Sequence, residues 1–162
     1  MILFAYASFM DLDELSIHVP SVRKLCNAYI PGYEFCFNKS YGELSAVANI
    51  QPSRNGAAKV WGILIELEDV GNLIQKNPDW EEHMELIDVK CIDDAGTLYH
   101  AATLISKPHA INNYLFPYDW YKKRIIALAS EQGLPAEYIS SLQMMEAKKD
   151  PDKNSDRTLP GL

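Results

Sequence analysis

The stretch Trp80-Glu81-Glu82-His83-Met84-Glu85 concentrates the groups best suited to moving protons. Glu81, Glu82 and Glu85 around a histidine are the residue types of a metal site or an acid/base pair, and a carboxylate in a small, partly desolvated pocket can act as a base of tuned pKa. His83 adjoins them, and His100 and His109 follow, but no His-Glu-x-x-His spacing is present. Surface histidines are the expectation, with no metal site and no cofactor. Ser8 has no Gly-x-Ser-x-Gly elbow around it and no His placed beside it by sequence, which leaves it without the partners of a nucleophile. Cys26, Cys36 and Cys91 are widely spaced in apolar, strand-like surroundings and read as reduced buried thiols. The aromatic run Leu115 to Tyr121 is read as packing a helix entry onto a sheet.

The elements that must position these groups follow from periodicity. Ile2 to Tyr6 is a short apolar strand entering a loop of small residues, Ala7 to Met10. Asp11 and Asp13 ahead of Leu15 and Ile17 predict a helical turn closed by Pro20. Leu25 to Phe37 is strand-like around a break at Pro31-Gly32, with Tyr33, Phe35 and Phe37 alternating at period two. Glu43 to Ile50 and Ala58 to Leu67 are two more strands, and the Pro52 to Gly56 loop predicts that they pair antiparallel. Val70, Leu73 and Ile74 predict a short helix over 69–76 stopped by Pro78, with Glu81 and Glu82 in a loop beyond it. Met84 to Cys91 and Thr97 to Ile105 flank the tight-turn signal Asp93-Asp94-Ala95-Gly96. A helix from Tyr118 to Ser130 ends at Gly133, and Pro135 opens a second one. Hairpins first and longer helices last is the element order of an α+β domain.

With 162 residues, 48% of them hydrophobic, the chain has the size of one domain with a substantial core. The net charge of −7 argues against nucleic acid as a partner, because such binders show a basic patch. No apolar run is long enough to cross a bilayer and no leader pattern opens the chain, so a soluble cytoplasmic protein with no membrane partner is expected. A domain over 1–146 followed by a polar, flexible tail over 147–162 is the expected division. Oligomeric state leaves no mark in the sequence.

Four segments resemble the γ-glutamylcyclotransferase-like family, in order and at matching spacings: MILFAYASFM from Met1, AVANIQP from Ala46, KVWGILIEL from Lys59, and YKKRIIALASEQGLPAEYISSL from Tyr121. The resemblance covers roughly residues 1–143. It implies a mostly antiparallel curled sheet or small β-barrel flanked by helices. It also implies a loop after the first strand whose N–H groups meet the carboxylate end of a γ-glutamyl substrate, and a pocket carboxylate that takes the α-amine proton as the ring closes to 5-oxoproline. Carried over position by position, the binding set is Tyr6, Ala7, Ser8, Phe9, Met10, Asn77, Met84 and Tyr121.

The resemblance places the family's catalytic Glu at Asn77, seven residues before Met84, with Pro78 where a Gly is usual. An amide cannot serve as that base. A shorter loop would bring Glu81 or Glu82 to the role instead. Ala7 stands for a Gly, Phe9 for an Asn, Met84 for a Tyr and Leu128 for a Gly. If the first of these Gly positions requires positive φ, Ala7 is strained there.

Two function classes stay open. One is a binding or regulatory protein that keeps the fold, takes a small amine- or carboxylate-bearing molecule as its partner and lacks the base. The other is an active cyclotransferase using Glu81 or Glu82. Mechanism favours the first, since losing the base forfeits roughly 10²- to 10⁴-fold in rate.

Overall fold

A computed structural model describes residues 1–68, 71 and 78–152. The expected 69–76 helix, Asn77 and the tail from 153 onward lie outside the described residues. Among the described residues the elements are β1 (Ile2–Ala5), α1 (Leu12–His18), β2 (Arg23–Pro31), β3 (Tyr33–Tyr41), β4 (Ser45–Pro52), β5 (Lys59–Glu66), α2 (Pro78–His83), β6 (Met84–Asp93), β7 (Leu98–Ser106), α3 (Asp119–Glu131) and α4 (Ala136–Met144), in the expected order except that α2 stands where a loop was expected.

Five strands close a barrel in the order β1-β5-β2-β6-β7, sealed where β1 meets β7 in parallel at Leu3 and Ala102. All other barrel pairs are antiparallel. β3 and β4 form a separate two-stranded sheet. The α+β expectation of a small barrel with flanking helices is therefore met.

The pairing of β4 with β5 expected from the Pro52 to Gly56 loop does not occur. β2 occupies the edge of β5, with Tyr29 opposite Trp61 and Pro31 opposite Lys59, while β3 occupies β4. The reason is the corner at Gly32, whose φ of 74° is left-handed and suits a residue without Cβ. Its N–H donates to Ala58 O (2.8 Å) and its carbonyl accepts from Ser53 N (2.9 Å), so both ends of the 53–58 segment are tied to this corner. That segment carries the chain from one sheet to the other.

β5 is buried on both faces, with Ile63, Leu64 and Ile65 inaccessible, which suits an apolar run rather than an alternating one. Gly62 marks its closest approach to β1. A Cβ there would stand 2.3 Å from Ala5 O and 2.8 Å from Phe4 Cζ.

α3 buries Tyr121, Ile125, Leu128 and Ala129, positions spaced to share one face. Leu128, at the position of a family Gly, sits in the core. The helix ends through Gly133 at φ 70°, with Leu134 N donating to Ala129 O. Asn27 Nδ2 donates to Gln132 O (3.0 Å), and Gln132 Nε2 donates to Met10 O (2.9 Å). Arg124 pairs with Asp11 at 2.6 Å, and Asp11 also caps α1. These bonds fix α3 against the loop that follows β1. Beyond α4, Lys148 N donates to Pro117 O, and Trp120 Nε1 donates to Asp150 Oδ2 at 2.8 Å, which lays residues 148–150 along the start of α3. Among the described residues no helix is long and apolar enough to cross a membrane.

Gly62→Ala is expected to lower stability by about 2 kcal/mol or more, because the obstructing atom is backbone. Gly56→Ala, where a Cβ meets nothing within 4 Å, is expected to change stability by less than about 0.5 kcal/mol. Urea titration of both variants checks this, and equal losses would refute the close-approach explanation.

Candidate functional site

The turn after β1 is a tight one. Tyr6 is still extended, Ala7 to Met10 form a 3₁₀ turn, and all four turn residues are buried. Ala7 has φ 54°, the one non-glycine residue with positive φ among the described residues. The backbone path suited to glycine is thus retained with an alanine in it. For an L-residue this conformation costs roughly 1–2 kcal/mol, which the surrounding packing must offset.

Tyr6 and Tyr121 hold the floor. The Tyr6 hydroxyl donates to Leu104 O at 2.6 Å. Burial, reinforced by the neighbouring Tyr121, drives its pKa far above the usual phenol range, so it remains a neutral donor. The Tyr121 hydroxyl accepts from Ala48 N (3.2 Å). Burial raises its pKa as well. Neither phenol is poised to lose a proton near neutral pH.

A small cavity of about 50 Å³ opens above these groups. Tyr6, Ala7, Ser8, Phe9, Met84 and Tyr121, six of the residues expected from the sequence, line it. Met10 does not: its side chain is in the core. Lys39, Tyr41, Val47, Ala48 and Trp80 complete the wall. Lys39 is the most consequential of these. Its side chain follows a bulge in β3, where Phe37 faces Ala48 and Lys39 faces Val47, leaving Asn38 as the extra residue. Bulges re-aim side chains, and this one delivers a lysine that is only 6% exposed to the cavity wall. The sequence carries no signal for it, because the bulge at Asn38 interrupts the period-two series of Tyr33, Phe35 and Phe37 before Lys39.

Trp80 explains where the glutamates go. The segment expected as a loop is the short helix α2, and Trp80 is its inward residue, 4% exposed, with its ring 5.1 Å from that of Phe9. Successive helical residues turn by about 100°, so the next two positions rotate away from the cavity. Glu81 and Glu82 are both exposed and neither lines the cavity. Among the described residues the wall carries no carboxylate.

Next to this site is a buried polar cluster. Asn49 Nδ2 donates to Asn38 Oδ1, and Asn49 Oδ1 accepts from Ser106 N, both at 2.9 Å. Ser106 pairs with Met84 across β6 and β7, yet its buried hydroxyl has no hydrogen-bond partner.

Other candidate chemistry is weaker. The Cys36 and Cys91 thiols are pushed up to about 12 by burial, which suppresses the nucleophilic thiolate. All three cysteines are free, and Cys26 and Cys36 are half-buried. His83 and His109 lie with ring centroids 5.6 Å apart, but no group of three or more His, Cys, Asp or Glu able to hold a metal occurs among the described residues.

Among solved structures, the chain is similar to one described as a gamma-glutamyl cyclotransferase, with TM-score 0.80, 25% identity, and 96% of this chain and 94% of that one covered. It is equally similar to an uncharacterized protein from Homo sapiens, with TM-score 0.79, 25% identity, and 96% and 93% covered. YkqA from Bacillus subtilis shares the fold at TM-score 0.73 and 18% identity, over 93% of this chain and 56% of YkqA. No family model and no curated protein matches the sequence.

Two stability tests follow. Ala7→Gly should stay within about 1 kcal/mol of the wild type, because relief of the left-handed alanine offsets the lost methyl and the added chain entropy. Ala28→Gly, in buried β2, has no such relief and should lose about 1.5–2 kcal/mol. Similar losses at both sites would show that Ala7 is unstrained. Ser106→Ala should be neutral or stabilising by up to about 1 kcal/mol, since it removes an unpartnered hydroxyl. Asn49→Ala strands two buried partners and should cost about 2 kcal/mol or more. Calorimetric melting of the pair reads the difference, and a costly Ser106→Ala would mean that the hydroxyl is bonded.

Proposed function

We propose that this chain, which has the γ-glutamylcyclotransferase-like fold, uses its cavity to bind a small amine- or carboxylate-bearing molecule and has lost the proton-transfer step of the cyclotransferase reaction. The observation that carries this reading is the wall of the cavity. It has hydroxyls, a lysine and apolar rings, while the two glutamates nearest in sequence point to solvent.

Cyclisation of a γ-glutamyl compound needs an unprotonated α-amine aligned with the γ-carbonyl. At neutral pH that amine is protonated, so a base in reach of it is indispensable. The buried tyrosines resist ionisation, and their hydroxyls already serve Leu104 O and Ala48 N. The family resemblance puts an amide, Asn77, at the position of the carboxylate. What persists is a shaped recess with donors and no group among the described residues to take a proton. The three free thiols are in keeping with a reducing, cytoplasmic setting.

The reading is checked by incubating the folded protein with γ-glutamyl amino acids, γ-glutamyl amines, ε-(γ-glutamyl)lysine and glutathione, and measuring 5-oxoproline by mass spectrometry. No product above the uncatalysed background is expected, and Glu81→Gln and Glu82→Gln should change nothing. Robust turnover that either substitution removes would establish the active alternative, with that glutamate as base.

A further inference from the structure

We infer that Trp80 sets the size limit of the recess: its indole confines the ligand to a molecule of roughly three or four non-hydrogen atoms and bars any ring or γ-glutamyl group. The inference deepens the binding function proposed above and rests on it for the class of ligand.

The space itself is the first observation. One water needs roughly 10–15 Å³ of such volume, so about 50 Å³ holds roughly three or four atoms of that size. Benzene is taken up by an apolar cavity of about 150 Å³, about three times as large. A γ-glutamyl group has more non-hydrogen atoms than benzene, so it does not fit the recess as it stands. Acetate and methylammonium do fit, and each brings one charged head and one methyl group, the chemistry of a carboxylate- or amine-bearing ligand.

Trp80 is the residue that closes off the remaining space. It has the largest side chain of those lining the recess, and it is the one that α2 contributes. It is 4% exposed, and its ring lies 5.1 Å from that of Phe9, a buried residue of the turn after β1. α2 is fastened to the end of β7, where Lys107 N donates to His83 O (2.9 Å) and Lys107 Nζ donates to Glu81 O (2.6 Å). These bonds and the ring contact hold the indole from both sides, and close-packed side chains do not yield a ring's volume without separating. The other large rings of the floor, Tyr6 and Tyr121, are already bonded to Leu104 O and Ala48 N and make no room. An indole is larger than a benzene ring, so its removal alone vacates more than the space a single ring needs.

NMR titrations of the whole chain, read at the Met84 methyl, test the size limit with acetate and methylammonium as small probes and benzene and indole as rings. On the wild type, acetate or methylammonium should shift the methyl signal, and both rings should leave it unmoved up to their solubility limits. Trp80→Ala should bind both rings at least about tenfold more tightly than the wild type, through burial of the ring in the vacated space, and indole should raise its melting temperature. Trp61→Ala removes an indole that lies against Tyr29 and does not line the recess, and it should gain no ring-induced shift at Met84. Trp80→Leu keeps an apolar side chain beside Phe9 while vacating part of the ring space, and benzene binding by this variant carries the test should Trp80→Ala not fold. A Met84 shift with either ring on the wild type, or no gain of ring binding by a folded Trp80→Ala or Trp80→Leu, would overturn the inference. Ring uptake by Trp80→Ala with no response of the wild type to either small probe would uphold the size limit and tell against the binding function instead, which keeps the two failures apart.

Discussion

The close contact between β1 and β5 at Gly62 is the constraint on which the rest of the molecule depends. β5 lies between β1 and β2 with both faces buried, and β1 must reach it closely enough for Ile2 to Ala5 to pair with Ile63 to Glu66. A side chain at Gly62 would meet the carbonyl of Ala5. Ala5 is the last residue of β1, so that contact also sets where the chain leaves the barrel and enters the turn of Tyr6 to Met10. The Thr103 hydroxyl, donating to Phe4 O at 2.9 Å, holds the other side of the same strand. The site is thus aimed by the barrel's tightest packing, and the turn inherits its left-handed step at Ala7 from a path fixed on both sides.

Two layers then convert this path into a recess. α3 brings Tyr121 under the turn, and the β3-β4 sheet brings Ala48 N to the same hydroxyl. That sheet leaves the barrel at Gly32, and its separation lets Lys39 and Val47 face inward rather than pair within the barrel. The polar cluster of Asn38, Asn49 and Ser106 N ties the sheet to the end of β7. Buried amide networks of this kind specify one arrangement because each alternative strands a donor or an acceptor.

Local signals carried much of the architecture. The strands of the β6-β7 hairpin, the Gly133 stop and the apolar β1 were legible because each depends on residues close in sequence. The β4-β5 connection was misread because a Pro-Ser-Arg-Asn-Gly loop has the same composition whether it closes a hairpin or passes between sheets. The deciding bonds run to Gly32, more than twenty residues earlier. Within the site, Tyr6, Ala7, Ser8, Phe9, Met84 and Tyr121 were reached through the family resemblance. Lys39 and Trp80 were not. Lys39 depends on a bulge whose position only the partner strand reveals, and Trp80 on α2 forming where polar neighbours suggested a loop.

The replacements around the recess make sense together once Trp80 is in place. An amide at position 9 would lie against the indole and would need a hydrogen-bond partner that the buried ring cannot supply, whereas Phe9 packs on it at 5.1 Å. Met84 beside this pair adds an adaptable apolar side chain where a phenol would introduce another hydroxyl to satisfy. Turning Trp80 inward in a helix necessarily turns Glu81 and Glu82 outward, so the apolar wall and the exposure of both carboxylates arise from one rotation of α2. To bring either glutamate to the cavity, α2 would have to withdraw the indole from Phe9 and expose both rings. Burying aromatic surface of this kind is worth about 1.5–3 kcal/mol per side chain, enough by itself to disfavour the rotated state by tenfold or more. The same packing that shapes the recess therefore opposes its use as a site for general base catalysis by these residues.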